Sequence, residues 1–238
     1  MTPLAKRLRI ALVLVVVLVA AGAGGGAWVL QAMQSAGFWE SAIVAFEEAD
    51  REQPPAAGAV VFTGSSSIRM WSSLAEDMAP LAVVNRGFGG SHIAHVNHFA
   101  ERIVTPYRPS AVVLYAGDND LAAGSEKTPE SVLGDFRRFV EIVHAAQPAA
   151  PIYFLAIKPS LSRWDRWPQM SDANARIEAF AAGTEGVEYV DVATPMLGED
   201  GRPRPELFIV DGLHMSEAGY VLWTSILKPV LTAADPAP

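Results

Sequence analysis

The sequence predicts a three-layer α/β/α fold built on one five-stranded parallel sheet. Short runs of β-branched and other apolar residues alternate with longer stretches of helical periodicity, which is typical of a parallel sheet covered on both faces. At 238 residues, half of them hydrophobic, the chain is long enough for one well-packed domain and short for two. The runs are Ala59–Phe62, Leu81–Val84, Ala111–Tyr115, Ile152–Leu155 and Val187–Val190.

The first 33 residues differ from the rest of the chain. Lys6, Arg7 and Arg9 precede an apolar segment that reaches Met33 without a charge. Its length and basic flank predict a transmembrane signal anchor over residues 1–33, with the rest of the chain on the extracytoplasmic side and joined to the membrane through this helix. The small residues Ala21–Ala23 also resemble a cleavage site, and cleavage there would give a secreted protein.

Residues 34–55 are predicted to form an amphipathic lead-in helix and a linker. Apolar residues from Phe38 to Phe46 recur at the spacing of one helix face, and the pattern ends before Pro54. The main domain then covers residues 56–234. Within it, Pro129–Ala146 is predicted to be a helix that packs on the sheet through one apolar stripe. The stripe consists of Val132, Leu133, Phe136, Phe139, Val140 and Val143.

Charge and cysteine content exclude several classes of function. The whole chain has a formal net charge of −8, and the part after Met33 has 15 basic against 26 acidic residues, a net charge of −11. Such an acidic domain disfavours nucleic acid as a partner. The sequence has no cysteine, which excludes disulfides, thiol chemistry and a lipid-modified cysteine.

Candidate site residues follow the predicted strands, where ligands bind in an open parallel sheet. The first strand ends in a Gly-Ser-Ser-Ser turn, in which Ser66 has its hydroxyl at the strand end and its backbone N–H near a helix N-terminus. A serine that only caps the helix would also account for this turn. The glycine-rich segment Gly87–Gly90 follows the second strand and lacks the residues of a phosphate-binding loop.

Two further features complete the set. Asn119 follows the third strand and carries two N–H donors, although an Asx turn would also account for it. Asp211 and His214 lie three residues apart before the last helix. At this spacing the carboxylate can accept a hydrogen bond from one ring nitrogen while the other ring nitrogen faces a nucleophile. Their order after the serine is that of a Ser…Asp…His hydrolase.

Four blocks in chain order resemble the SGNH/GDSL hydrolase superfamily: Gly64–Ser66, Gly87–Gly90, Gly117–Asp120 and Asp211–His214. Ser65 stands where an aspartate is usual in that superfamily. The resemblance implies a flavodoxin-like sheet and a serine esterase or acylhydrolase that works through an acyl-enzyme. It implies a small-molecule, glycan or lipid ester as substrate, and no metal or organic cofactor.

The resemblance also implies a role for each site residue. Ser66 would be the nucleophile, His214 the general base and then acid, and Asp211 the orienting carboxylate. The backbone N–H groups of Ser66 and Gly90, with the Asn119 amide, would form the oxyanion hole. Substrate contacts are expected from four residues next to these blocks or in the loop after the fourth strand: Ser65, Asp118, Arg163 and Trp164.

Alternative hypotheses keep the fold and change the function. An acyltransferase or an O-deacetylase acting on cell-envelope glycans would share all the named residues, and a catalytically silent module would only bind a carbohydrate in the cleft. His92, His95 and His98 form an H-x-x-H-x-x-H run that suggests a metal site at first sight. Their spacing spreads them around a helix, so we interpret them as helix-face residues near the cleft.

Overall fold

The computed structural model describes residues 35–234. A five-stranded sheet, parallel throughout, lies at its centre with the strand order β2-β1-β3-β4-β5. This confirms the predicted five-stranded parallel sheet in an α/β fold. The strands are β1 (Val60–Gly64), β2 (Val83–Gly87), β3 (Val112–Tyr115), β4 (Ile152–Leu155) and β5 (Val187–Val190).

Helices cover both faces of this sheet. Phe136 of the predicted Pro129–Ala146 helix packs on Phe154 of β4, with the ring centroids 4.8 Å apart. On the other face, Tyr115 of β3 packs on Trp223, with the ring centroids 4.9 Å apart. The α-helices are α1 (Glu40–Glu52), α2 (Ser66–Arg69), α3 (Leu74–Met78), α4 (Ile93–Ile103), α5 (Pro129–Ala146), α6 (Trp167–Ala182) and α7 (Glu217–Ala234).

Helix α5 has the bounds and the buried face that the sequence predicts. At the N-terminus of α5, the Thr128 side chain accepts a hydrogen bond from the Ser131 backbone N–H, and Pro129 takes the first helical position. Both features favour a helix start, because they satisfy or remove donors that have no partner within the helix. The six buried residues of α5 are those of the predicted stripe: Val132, Leu133, Phe136, Phe139, Val140 and Val143.

Strand β2 differs from its predicted position. The apolar run suggested a strand over residues 81–84, whereas the strand extends through Asn85 and Arg86 to Gly87. These polar residues are accommodated because their side chains have partners. The Asn85 amide donates to the Ile68 carbonyl at 2.7 Å, and the Arg86 guanidinium pairs with Asp50 of α1. The extension brings the start of the glycine-rich segment inside the sheet.

The amphipathic helix predicted after the apolar segment is present as α1, preceded by a short 3-10 helix over Ala36–Trp39. Ile43 is buried, and Glu47 forms an ion pair with Arg102 of α4 at 2.7 Å. The predicted membrane anchor, residues 1–33, lies outside the described residues. Between residues 35 and 234, no helix is both long enough and apolar enough to cross a membrane.

Candidate active site

Ser66 lies at the point where β1 turns into α2. Gly64 makes this turn with a φ of 128°, and a Cβ atom at that position would come within 1.9 Å of the Tyr115 carbonyl oxygen of the neighbouring strand. The site therefore requires glycine. The Ser65 N–H donates to the same Tyr115 oxygen at 2.9 Å, which fixes the next residue, Ser66, as the first of α2.

The structure brings Ser66, His214 and Asp211 together although 148 residues separate the first two. His214 Nε2 lies 3.0 Å from Ser66 Oγ, and His214 Nδ1 lies 2.6 Å from Asp211 Oδ2. The other carboxylate oxygen, Oδ1, accepts from the backbone N–H groups of Leu213 and His214 at 2.8 and 2.9 Å. The chain reverses tightly around this carboxylate, which holds the imidazole between its two partners.

The Asp211 carboxylate has a lowered pKa. Burial alone raises the pKa, but the hydrogen bonds from the His214 ring and from the two backbone N–H groups outweigh it and bring the pKa to about 2. The side chain is 41 % exposed, so water also solvates the charged form. Asp211 is consequently ionised at neutral pH and favours the His214 tautomer that carries its proton on Nδ1.

The segment that contains Gly90 is held by residues that follow β3. Asn119 Nδ2 donates to the Ser91 carbonyl at 3.2 Å, and the buried Asp120 carboxylate accepts from the Ile93 N–H at 3.3 Å. Burial raises the pKa of Asp120 to about 6, although the nearby Lys127 ammonium lowers it. The loops that follow β2 and β3 are thus linked directly beside the Ser66 turn.

Three of the four expected substrate contacts have other surroundings in the structure. Ser65 is fully buried. Asp118 is also buried, with its carboxylate 3.4 Å from the Arg163 guanidinium. Arg163 donates to the Asp118 carbonyl at 2.8 Å and to Asn119 Oδ1 at 3.0 Å. Arg163 remains one-fifth exposed, and Trp164 is partly exposed and stacks on Trp167. The substrate contacts expected from these four residues stay predictions.

Other residues that support the site were assigned no role from the sequence. Tyr220 of α7 donates through its hydroxyl to the Ser67 carbonyl at 3.0 Å, and the Asn85 amide binds the Ile68 carbonyl, so both brace α2. Lys158, 1 % exposed, donates to the Leu213 carbonyl at 2.8 Å. The available signal for Lys158 was a lysine that ends the apolar run from Ile152 to Ile157.

Exposed apolar side chains flank the Asp211–His214 loop. Val210 is fully exposed, and Ile209 and Leu161 are both about two-fifths exposed. Leu161 lies against this loop, because the following Ser162 N–H donates to the Gly212 carbonyl at 3.0 Å. The rim of the site beside His214 is therefore apolar.

The histidines of the H-x-x-H-x-x-H run lie at the start of α4, close to the glycine-rich segment. His92 precedes the helix, and its backbone N–H donates to His95 Nδ1 at 3.1 Å while the two rings stack with centroids 4.9 Å apart. Burial, and then the Lys127 charge, lowers the pKa of His92 to about 4. Over residues 35–234, the acidic and histidine side chains form no group of three or more that could hold a metal ion.

Comparison with protein families gives one match that spans most of the chain. The sequence model of the GDSL-like Lipase/Acylhydrolase family matches residues 52–222, a segment that includes every residue of the site. Among curated proteins, the chain is 27 % identical over 204 residues to the platelet-activating factor acetylhydrolase IB subunit alpha1 of Rattus norvegicus, covering 80 % of this chain and 81 % of that protein. The bovine protein of the same name is 28 % identical over 207 residues, with the same coverage.

Solved structures with the same fold carry related names. A GDSL-like lipase of Bacteroides thetaiotaomicron superposes with a TM-score of 0.71 at 20 % identity, covering 81 % of this chain and 98 % of that one. The lipase/acylhydrolase of Enterococcus faecalis gives a TM-score of 0.56 at 15 % identity, covering 74 % and 96 %. At these identities the likeness concerns the fold alone.

Proposed function

Because the chain belongs to the GDSL-like lipase/acylhydrolase family and is an ester-bond hydrolase, we propose that it cleaves carboxylic esters by covalent catalysis at Ser66. The observation that carries this proposal is the 3.0 Å separation between Ser66 Oγ and His214 Nε2, with Asp211 on the other side of the ring. A nucleophile, a base and an orienting carboxylate in this order are the requirements for activating a serine hydroxyl.

In the first half of the proposed reaction, Ser66 Oγ attacks the ester carbonyl carbon as its proton passes to His214 Nε2. Asp211 stabilises the resulting imidazolium. The negative charge on the former carbonyl oxygen is met by the backbone N–H groups of Ser66 and Gly90 and by the Asn119 amide. The carbon–oxygen bond to the alcohol then breaks, and the departing alkoxide takes the proton from His214, which leaves an acyl-enzyme on Ser66.

In the second half, water replaces the alcohol. His214, neutral again, accepts a proton from a water molecule as that molecule attacks the acyl carbonyl. The bond to Ser66 Oγ breaks, Oγ takes the proton back from His214, and a carboxylic acid is released. The mechanism as proposed uses side chains and backbone groups of this chain only.

We further propose that the acyl group is short. Support comes from the rat and bovine relatives, whose names describe them as acetylhydrolases. A series of p-nitrophenyl esters from acetate to octanoate measures this preference directly. The proposal expects kcat/KM to be highest for acetate, and a maximum at octanoate would contradict it.

The central experiment replaces each serine of the turn in separate variants. Ser66→Ala should lower kcat on p-nitrophenyl acetate by about six orders of magnitude, as expected when the nucleophile of a triad is removed. Ser65→Ala is the matched control, because the fully buried Ser65 hydroxyl does not reach the cleft, and it should retain substantial activity. An active Ser66→Ala variant together with an inactive Ser65→Ala variant would overturn the assignment of the nucleophile.

A transferase would share the acyl-enzyme and differ only in its acceptor. Incubation of the enzyme with an acetyl ester and an unesterified glycan, followed by product analysis, separates the two reactions. The hydrolase proposal expects free acetate as the main product. Acetyl transfer in excess of release would assign the chain to the acyltransferase alternative.

We also propose that residues 1–33 anchor the enzyme in a membrane, with the hydrolase domain on the extracytoplasmic side. The support is the uncharged apolar stretch that ends at Met33 and the three basic residues before it. An enzyme held in this way would meet esters of the cell envelope or of lipids.

A further inference from the structure

A group of three charged side chains, two of them buried and Arg163 one-fifth exposed, lies between the ends of β3 and β4. Arg163 Nη1 is 3.4 Å from Asp118 Oδ2, and Lys158 Nζ is 3.9 Å from the same oxygen. The side chains of Lys158 and Asp118 are 1 % and 4 % exposed. Burying a charged group is unfavourable unless partners compensate for the lost water, so the buried charges of this group need an explanation. We call Lys158, Asp118 and Arg163 the charge cluster.

The charge cluster touches the proposed oxyanion hole through Arg163. Its Nη2 donates to Asn119 Oδ1 at 3.0 Å. A guanidinium has donors only, so the oxygen of the Asn119 amide must face Arg163 and the NH₂ group must face away from it. On that side Nδ2 donates to the Ser91 carbonyl at 3.2 Å. One of its two hydrogens is thereby used, and the second can point to an oxyanion at Ser66.

The charge cluster touches the base through Lys158. Its ammonium donates to the Leu213 carbonyl at 2.8 Å, directly before His214. The His214 carbonyl in turn accepts from the Ile209 N–H at 2.9 Å. Two consecutive carbonyls on the Asp211–His214 loop are therefore tied down, one of them by a lysine that comes from the end of β4. The rings of Tyr115 and Phe208 lie 5.9 and 5.8 Å from the ammonium and limit where it can move.

We propose that the charge cluster is a positioning device that sets the oxyanion amide and the catalytic imidazole relative to each other. Arg163 acts through Asn119, and Lys158 acts through the carbonyl of Leu213. Asp118 holds the two cations at one place, which joins the loops after β3 and β4 to the loop that carries His214. The inference rests on the proposed function and goes beyond it, since none of the three residues reacts with the substrate.

A double-mutant cycle between Arg163 and Asn119 tests the first half of this proposal. Asn119→Ala should lower kcat by about 10²- to 10³-fold, the usual effect of losing one oxyanion donor. Arg163→Ala should lower kcat by about 10- to 100-fold with KM nearly unchanged, because the amide is then free to rotate. The double variant should be no slower than Asn119→Ala alone, since Arg163 has nothing left to position.

Two controls separate this positioning role from direct substrate binding by Arg163 and from a general loss of surface charge. Arg176→Ala is the matched control, since Arg176, like Arg163, is an arginine paired with acidic side chains, here Asp172 and Glu130, but lies exposed on α6. Millimolar guanidinium should restore part of the activity of Arg163→Ala and none of that of the double variant. Effects that multiply in the cycle, or a raised KM with unchanged kcat, would overturn the proposal and make Arg163 a substrate contact.

The second half is tested at Lys158. Lys158→Met keeps the length of the side chain and removes the donor, and it should lower kcat by about 10-fold or more without a matching change in KM. If the Asp118 charge, then balanced by Arg163 alone, prevents folding, Asp118→Asn/Lys158→Met removes that charge and should fold. Its kcat should stay low, because the Leu213 carbonyl still lacks its donor. A folded double variant with full activity would refute the role of Lys158.

These outcomes are distinct from a failure of the proposed function. If Ser66→Ala is inactive while Arg163→Ala and Lys158→Met behave as the wild type, the esterase mechanism stands and the positioning role is wrong. If Ser66→Ala keeps full activity, the mechanism itself is wrong, whatever the charge-cluster variants show.

Discussion

At the scale of single residues, Asp211 combines two tasks in one carboxylate. Oδ2 accepts from the His214 ring at 2.6 Å, while Oδ1 closes the loop by accepting two backbone N–H groups. An asparagine could keep the second task, because its amide oxygen also accepts hydrogen bonds, and would fail at the first. The electrostatic and the conformational roles of this position can therefore be separated by one substitution.

Asp211→Asn should lower kcat on p-nitrophenyl acetate by about three to four orders of magnitude, since the amide does not stabilise the imidazolium and favours the wrong ring tautomer. The melting temperature should change little, because the side chain is 41 % exposed and the backbone hydrogen bonds are retained. Circular dichroism melts and steady-state kinetics check the two halves of this prediction. Activity within a few-fold of wild type would argue against Asp211 as the orienting carboxylate.

Because Lys158 is buried, we expect the free energy of unfolding to rise with pH above neutrality. Burial lowers its pKa from 10.5 to about 8, an effect that Asp118 offsets only in part. Between these two pH values the unfolded chain holds a proton that the folded chain has released, so stability rises with pH. The free energy of unfolding of the wild type, relative to Lys158→Met, should increase by up to about 3 kcal/mol across this window. Urea titrations at several pH values measure it, and a difference that falls with pH would contradict the prediction.

At the scale of elements, a glycine within helix α5 can be replaced without backbone strain, whereas a glycine in the loop before it cannot. Gly134 lies in the middle of α5 on its exposed side, with no atom within 4 Å of an added Cβ. Gly124, in the loop before α5, also has open space around it but adopts a φ of 84°. The first position tolerates a side chain by geometry, whereas the second does so only with backbone strain.

Gly134→Ala should therefore stabilise the protein by about 0.5 to 1 kcal/mol, because alanine loses less backbone entropy in a helix. Gly124→Ala is the paired variant and should destabilise it by about 1 kcal/mol. Thermal and urea unfolding of both variants give the comparison. Equal changes in the free energy of unfolding would show that the backbone conformation of the glycine does not determine the effect of the substitution.

Elements with a strong periodic pattern were predictable from the sequence. Helix α5 and the five strands follow from apolar periodicity alone, and four sequence blocks located Ser66, Asp211 and His214 at the same edge of the sheet. The extension of β2 was missed because Asn85 and Arg86 are polar, and their partners Ile68 and Asp50 come from other elements. The burial of Ser65 and the contacts of Arg163 with Asp118 and Asn119 were not predicted either. Which serine of three faces inward depends on the φ and ψ of the turn, and where a long arginine ends depends on the fold of two loops.

At the scale of the whole molecule, the strand order places the proposed site where the topology changes direction. β1 lies at the point from which the chain moves outward to β2 on one side and to β3 on the other. Ser66 follows β1 and Asn119 follows β3, so the proposed nucleophile and the proposed oxyanion amide flank this switch point. Crevices at such points are the usual ligand sites of open parallel sheets.

Every residue of the proposed site belongs to the compact unit Ser41–Pro238. A variant that lacks residues 1–33 should therefore keep its kcat on p-nitrophenyl acetate within about two-fold, since small soluble esters need no membrane contact. The full-length chain should sediment with membranes and the shortened variant should stay in the supernatant. Fractionation followed by activity assays tests this, and a full-length chain found wholly in the supernatant would contradict the proposed anchor.

The exposed Val210 has a practical consequence, because the chain contains no cysteine. Val210→Cys would introduce a single thiol whose neighbour in the chain is Asp211 and which lies four residues before His214. A fluorophore or spin label attached there would report on movement of the Asp211–His214 loop, with no background from other cysteines. The same position offers a point for immobilising the enzyme, or for tethering candidate acceptors beside the acyl-enzyme.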